Sequence, residues 1–428
     1  MSTEISRLPR RGNPLHLRMP AIPRAQLDHT TLSGVTAVLV GCIFLQRLAV
    51  PFGAEQLPLA FPVGYGALLF LMLRRRIVLN VELCVFFLLV MASLTLSMLH
   101  SGSSASLTSF FYLFTIYVLY VFKLRFRDGE GEEILHIYGN LMAIAAGCGL
   151  AQFCLQFVLP QSLVFPLETF VPKPFLFGDL YNVIIPLTYG SAIVKSNGVF
   201  FLEPSFFSQF LAVALILELL REQRLSRLAL YAAAMVVSYS GTGLLLMGLF
   251  LPYILWRRGN PTIFLIGAVG VVILMAAAAS LNLDTMVNRL GEFSAPESSG
   301  FARFVSPFYL FRDFMETPSA VLFGLGPGSI DKIIAESSYK GYAAHDPTWI
   351  KAVVEYGVIA GALVILYVVA AFFKGAANKG LATALLVLCL FLGGYLLNPI
   401  MHFLFVALTV WPNAMRPRRF FASRQIPD

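Results

Sequence analysis

Long apolar runs recur along the whole chain, and short clusters of basic residues punctuate them. The runs occupy about 31–46, 57–73, 77–99, 107–122, 134–159, 205–220, 228–256, 261–281, 348–373, 380–397 and 400–412. A helix needs about 20 apolar residues to cross the hydrocarbon, and somewhat fewer when it packs inside protein. In hydrocarbon each backbone N–H and C=O must be satisfied within its own segment, so runs of this length fold as helices. No stretch alternates apolar and polar residues in repeated ten-residue units, which argues against a β-barrel. With 58% hydrophobic and 13% charged residues, the chain belongs with polytopic helical membrane proteins, and its length does not count soluble domains. The expected fold class is an all-α polytopic integral membrane protein.

The basic clusters set its orientation. Arg74, Arg75 and Arg76 follow the second run, and Lys123, Arg125 and Arg127 follow the fourth. Arg221, Arg224 and Arg227 follow the sixth, Arg257 and Arg258 follow 228–256, and Lys374 and Lys379 separate two later runs. Arg416, Arg418, Arg419 and Arg424 close the chain. The first residues carry Arg7, Arg10, Arg11, Arg18 and Arg24, with no small-residue cleavage site after the first apolar run. They read as an uncleaved cytoplasmic tail. Placing all these clusters on one side leaves few of the 31 Lys and Arg for the other.

Run 228–256 then has basic clusters at both ends, so it must enter and return. Its middle, Ser238-Tyr239-Ser240-Gly241-Thr242-Gly243, breaks a helix and offers side chains to the freed backbone groups. Two short helices are expected, 228–238 and 243–256. The alternative, one long tilted helix, would invert everything downstream. About twelve membrane segments result, with both termini cytoplasmic. A tail (1–30) precedes segments one to five (31–159) and an outer loop (160–204). Segments six to nine (205–281) lead to a large outer loop (282–347), segments ten to twelve (348–412) and a second tail (413–428). The five cysteines all fall in apolar segments without metal or redox spacing, and read as small buried residues.

Two islands, roughly 160–205 and 282–347, interrupt the apolar pattern on the side opposite the basic loops. They hold Lys195, Glu203, Arg289, Arg303, Arg312 and His345. A transporter keeps its key polar groups inside its helices. Here the candidates within spans are few: Glu82, Gln152, Gln156 and Asn398. The stretch 181–194, short and broken by Pro186, reads as an interfacial or re-entrant piece.

Glu203-Pro204-Ser205 has the form of a helix start, with an acid near the positive helix end. Glu203 is either a cap or a carboxylate held at the bilayer surface. Arg303 and Arg312 are interleaved with Phe301, Phe304, Phe308, Tyr309, Phe311 and Phe314. The planar arginine fork suits a diphosphate, because it donates in pairs and keeps its charge. The plainer reading is a helix lying on lipid headgroups. Gly324-Leu325-Gly326-Pro327-Gly328-Ser329 leads into a short helix at 330–337, either a plain turn or a place for an anion. There is no GxxxxGK[ST], hence no P-loop. His345, the one histidine in either island, suits a helix-entrance cap, a base near neutral pH or a donor to phosphate. Lys351 and Glu355, four apart at the start of a span, are expected to pair. No acidic pair has DxD form and no histidine pair has ligand spacing, so neither metal nor cofactor is expected.

Three of these pieces in this order carry a resemblance: Asn197-Gly198-Val199-Phe200 through Glu203-Pro204-Ser205, Ser238 to Gly243, and Gly324 to Ser329 followed by His345, Glu355 and Gly357. Over roughly 195–360 the chain resembles the O-antigen polymerase and O-antigen ligase superfamily. The resemblance implies a GT-C-like, metal-independent, inverting glycosyltransferase of the bacterial inner membrane, with a periplasmic site between two large periplasmic loops. Its donor would be an undecaprenyl-diphosphate-linked oligosaccharide. Ligases pass the chain to lipid A-core; polymerases pass it to another lipid-linked repeat unit. Asp346-Pro347 stands after His345 where ligases more often have Asn and an aromatic residue, which favours a polymerase. The length and basic tail are similar to those of a secreted exopolysaccharide polymerase of the xanthan type. On this reading Arg289, Arg303, Arg312 and Lys195 bind the diphosphate, and His345 or Glu203 is the catalytic base. Partners would be donor and acceptor lipid-linked saccharides, membrane lipids, a chain-length regulator and export proteins, with no nucleic acid. The alternatives are the ligase, a flippase or exporter of the same lipid-linked saccharide, and a scaffold subunit.

Overall fold

The computed structural model describes residues 29–52, 55–101, 105–125, 130–177, 181–188, 190–258, 291, 293–374 and 376–412. Both tails, the run 261–281 and Arg289 lie outside the described residues. The helices are α1 (His29–Phe44), α2 (Ala60–Leu73), α3 (Val81–Ser101), α4 (Leu107–Tyr117), α5 (Glu130–Leu155), α6 (Gln161–Val164), α7 (Pro166–Phe170) and α8 (Pro204–Leu220). They continue as α9 (Leu225–Ser238), α10 (Gly241–Arg258), α11 (Ser299–Phe304), α12 (Ser306–Met315), α13 (Pro318–Phe323) and α14 (Ile330–Tyr339). The last are α15 (Thr348–Phe373), α16 (Lys379–Phe391) and α17 (Pro399–Phe405).

Three described helices are long and apolar enough to cross a membrane: Val81–Ser101, Gly131–Leu155 and Thr348–Phe373. The other apolar helices run 10–17 residues and fall short of a full span. The outward face of α3 is apolar, with Val81, Val85, Leu88, Leu89, Leu96 and Leu99 exposed. A row of exposed large apolar groups along a helix fits hydrocarbon, not water. The chain is thus a mostly helical protein of membrane character.

The bundle closes around α8, which is buried on nearly every side and apolar all round. Helices α5, α9, α10 and α16 pack on it. The break expected inside 228–256 is present. Helix α9 ends at Ser238, Tyr239 takes a left-handed conformation (φ 46°), and α10 starts at Gly241. The tip of this turn returns to the entrance of α8, where the Gly243 N–H donates to Ser208 Oγ at 3.1 Å. The far end of α10 places Tyr253 near Gly380 and Leu220, so the chain goes out along α9 and comes back along α10. The tip itself is buried against α8 rather than exposed.

Two short two-stranded antiparallel sheets depart from the all-α expectation. Strand β1 (Ala49–Phe52) pairs with β2 (Glu55–Pro58), and β3 (Ile77–Leu79) pairs with β4 (Phe122–Leu124). The second sits between helix ends and is extended by Arg125 N–H donating to the Arg76 carbonyl at 2.8 Å. It brings two of the basic clusters to one end of the bundle. The strands of both sheets are too short to show as alternation between strongly apolar runs. The stretch 181–194 is no re-entrant helix: it folds back on itself through a Pro186–Val194 bridge.

A second, smaller apolar core stands apart from the main one. Leu310, Phe314, Ala320 and Ile330 of the segment 306–330 pack there with Ile350 and Val354 of α15. Tyr356, Ala360, Val364 and Tyr367, further along α15, belong to the main core.

Candidate functional site

The first wall of the site is the turn before α8, and an intramembrane glutamine holds it. Gln152 of α5 donates to Asn197 Oδ1 at 2.9 Å, and its Oε1 accepts from Ser196 Oγ at 2.8 Å and Asn197 N–H at 3.2 Å. Gln156 accepts from the Val194 N–H at 2.8 Å. Gly198 and Val199 both adopt positive φ, and for the β-branched Val199 (φ 69°) that is a strained conformation. The knot delivers Glu203 to the N-cap of α8 in extended backbone, with Pro204 in the first turn. The Glu203 carboxylate does not cap the helix. It accepts from the Asn182 N–H at 3.1 Å and from Ser205 Oγ at 2.8 Å. Thr242 of the α9–α10 turn reaches the Ser205 carbonyl at 3.4 Å, so two of the sequence motifs meet at one helix entrance.

The second wall is a crossing of main chains. Helix α15 breaks at Gly357 (φ 81°, ψ 167°), which frees the carbonyls of Val354 and Glu355. The glycine-rich loop supplies the missing donors: Leu325 N–H to Val354 and Gly326 N–H to Glu355, both at 2.9 Å. A Cβ at Gly324 would lie 2.3 Å from the Glu355 carbonyl oxygen, and one at Gly357 would lie 2.2 Å from that of Leu322. Only glycine fits at either position. Two of the loop's N–H groups are therefore spent on the broken helix rather than offered to an anion.

Between these walls, His345, Asp346, Arg303, Glu203 and Lys351 share one electrostatic neighbourhood. Burial pushes the His345 imidazole below its ordinary range. The carboxylates of Asp346 and Glu203 pull the other way, while Arg303 and Lys351 add to the lowering. The ring is recessed, yet 35% of its side chain stays accessible. Its Nδ1 lies 3.7 Å from Asp346 Oδ1, too far for a hydrogen bond. Asp346 Oδ2 receives Lys351 Nζ at 3.0 Å. Lys351 also lies 3.6 Å from Asp331 and 3.9 Å from Glu355. The expected Lys351–Glu355 pairing is present, but Asp346 is the nearer partner. Glu355 is fully buried, and neither of its oxygens has a hydrogen-bond partner among the described residues. Tyr181 completes this side. Burial, with Glu203 and Asp346 nearby, pushes its hydroxyl up to about 12, so it stays a proton donor at neutral pH.

Arg303, in α11, is half-buried, and among the described residues nothing pairs with its guanidinium. It acts on His345 and on Tyr395, whose hydroxyl donates to Gln209 of α8. Arg312 sits elsewhere. It is exposed on α12, 3.0 Å from Asp313 and stacked 5.5 Å over Tyr309, while Asp313 also takes Lys340 at 2.9 Å. Lys195 is half-buried on the folded-back stretch, its N–H donating to the Ile185 carbonyl at 2.9 Å. Asp346, Tyr181 and Tyr395 are the residues that sequence reasoning passed over. Asp346 carried a signal, since an acid between His345 and a helix-opening proline is confined in space. Tyr181 and Tyr395 carried none, because only the chain's return brings them here.

No family model, curated protein or solved structure matches the chain.

Proposed function

We propose that this protein is a polysaccharide polymerase joining undecaprenyl-diphosphate-linked repeat units at the periplasmic face of the bacterial inner membrane. The supporting observation is the convergence, from positions 303, 345 and 203, of an arginine and an imidazole that make no hydrogen bond among the described residues and a carboxylate, beside the ends of apolar helices. A lipid-linked diphosphate needs cations that keep their charge, and a sugar hydroxyl needs a base. Arg303, with Arg289 and Lys195, binds the donor diphosphate and stabilises the charge that develops as it leaves. Arg312 joins them only by giving up Asp313.

His345 is the better base of the two candidates. Both Glu203 oxygens are already engaged, one by the Asn182 N–H and the other by Ser205 Oγ, whereas the His345 ring makes no hydrogen bond among the described residues. The His345 imidazole is neutral at neutral pH because burial disfavours its charged form. The acceptor hydroxyl oxygen bonds to the anomeric carbon with inversion, and its proton passes to His345. The bond from that carbon to the diphosphate oxygen breaks, and undecaprenyl diphosphate departs with the electron pair. In this reading the chain has about twelve membrane segments with both termini cytoplasmic. An exporter is less well supported: Gln152 and Gln156, two of the few polar groups within spans, are occupied in holding the 194–199 turn.

The test is a reaction of the purified protein with short-chain polyprenyl-diphosphate repeat units in EDTA, followed by a size ladder on a gel. A ladder supports the polymerase. Transfer to lipid A-core instead makes the protein a ligase. Transfer to neither acceptor, with folded protein and the correct repeat unit, removes the glycosyltransferase reading.

A further inference from the structure

Asp346 looks two ways. One carboxylate oxygen receives Lys351 Nζ at 3.0 Å; the other faces His345 Nδ1 at 3.7 Å. Three constraints fix it there. Pro347 follows and confines its backbone to extended conformations. The chain at Gly394 presses against it, so closely that a Cβ there would lie 3.0 Å from Asp346 Oδ1. Lys351 holds the far oxygen and is itself held by Asp331 at 3.6 Å and the fully buried Glu355 at 3.9 Å.

This is more support than a helix-entrance ion pair requires. A lone Lys351–Asp346 pair would already balance both charges. Lys351 is shared between Asp346 and Asp331, so its charge is divided, and Asp346 Oδ1 is left facing the imidazole. The charges that face His345 are Asp346 beside it, Lys351 on α15, Arg303 on α11 and Glu203 at the entrance of α8. Two are positive and two negative, and of these Asp346 follows His345 directly in the loop before α15 and points an oxygen at its ring.

We propose that Asp346 is a positioning residue for His345, anchored by Lys351, that orients the imidazole with Nδ1 toward Asp346 and leaves Nε2 open to the reacting hydroxyl. A third group that orients the base is a recurring device in proton-transfer sites, and such contacts shorten when substrate binds. The proposal rests on the reading of His345 as the base, and it adds the residue that sets the ring's tautomer and charge.

The experiment uses the full chain in detergent, wild type and Asp346→Asn. Diethylpyrocarbonate acylates only unprotonated imidazole, so peptide-resolved labelling of His345 across pH reads its protonation without any enzyme assay. In Asp346→Asn the His345 labelling midpoint shifts to lower pH, because a facing negative charge is gone. Chain growth falls about 10- to 100-fold in kcat with KM within twofold, as for other removals of a supporting contact. The acid limb of its pH profile moves in the same direction as the labelling. Asp346→Glu restores the charge and returns the midpoint toward wild type; Asp346→Ser takes the place of the asparagine variant if Asp346→Asn does not fold. An unmoved midpoint in folded Asp346→Asn, or in Asp346→Glu no difference from the asparagine variant, overturns the proposal. A moved midpoint in a protein whose wild type builds no ladder leaves the His345–Asp346 coupling standing and removes the polymerase reading instead.

Discussion

Two charged regions of the molecule have almost the same ingredients and opposite states of completion. One lies where α5 begins, α8 ends and α9 begins. There Arg221 meets Glu132 at 2.5 Å, Arg224 meets Glu218 at 3.1 Å and Glu222 at 3.0 Å, and His136 meets Glu222 at 2.9 Å. Arg227 lies 4.0 Å from Glu218 and donates to Asn140. Each of these side chains has an ion-pair or hydrogen-bond partner, although Arg227 Nη1 itself makes no hydrogen bond. The other region holds Arg303, His345, Glu203 and the Lys351 carboxylates. Its anchors are paired just as well, but Arg303 has no partner among the described residues and His345 makes no hydrogen bond. Buried polar groups are normally satisfied, so an incomplete set beside a complete one marks where a ligand is expected. Charge that holds the fold closes on itself, and charge that serves chemistry stays open.

The largest effect that would break this comparison is at Arg303. Arg303→Ala should reduce ladder formation at least 100-fold at unchanged protein level, the range seen when one preorganised charge-stabilising group is lost. Activity within threefold of wild type would place the diphosphate elsewhere. Next comes the pH profile of kcat/KM. His345 must be neutral to accept a proton, so the rate should fall as pH drops through its transition. Burial sets that transition below the ordinary imidazole value of about 6.5. The rate should be flat from there through neutrality, and His345→Gln should remove both the limb and most of the rate.

Gly324→Ala tests the second wall. It puts a side chain into a positive-φ position 2.3 Å from a carbonyl oxygen, and should destabilise by about 3 kcal/mol in thermal unfolding. At the completed cluster, Glu218→Gln should lower stability by about 1–3 kcal/mol and leave turnover per folded molecule unchanged, as ladder assays normalised to folded protein would show. The smallest effect is expected at Arg312→Ala. Removing that exposed pair should change neither melting nor chain growth measurably.

The helical plan was legible because hydrocarbon imposes one rule, internal backbone satisfaction, on every apolar run. Runs at 31–46, 77–99, 205–220 and 348–373 became helices within a few residues of their ends. The turn at 238–243 was legible for a second reason: basic clusters on both sides forced the chain to reverse. The break at Gly357 was not, because nothing in an apolar run distinguishes a glycine that packs from one that interrupts. In the site, charge type identified Glu203, Arg303 and His345 as candidates, but not which of the arginines would stand open. Arg312 has the same aromatic setting as Arg303 in sequence; Asp313, one residue on, engages it at the surface. Gln152 and Gln156 drew attention as polar groups within a span and proved to be struts for a loop.

The interruption of α15 also divides it mechanically. Before the break, Ile350 and Val354 face the small core of 310–330 while Ala352 and Tyr356 already face the bundle, and after it the helix packs on the bundle alone. A change in bilayer thickness or lateral pressure acts on the long apolar part, and one glycine joins that part to the segment bearing Lys351. Gly357 is therefore where strain from lipids of different chain length should be taken up before it reaches Lys351.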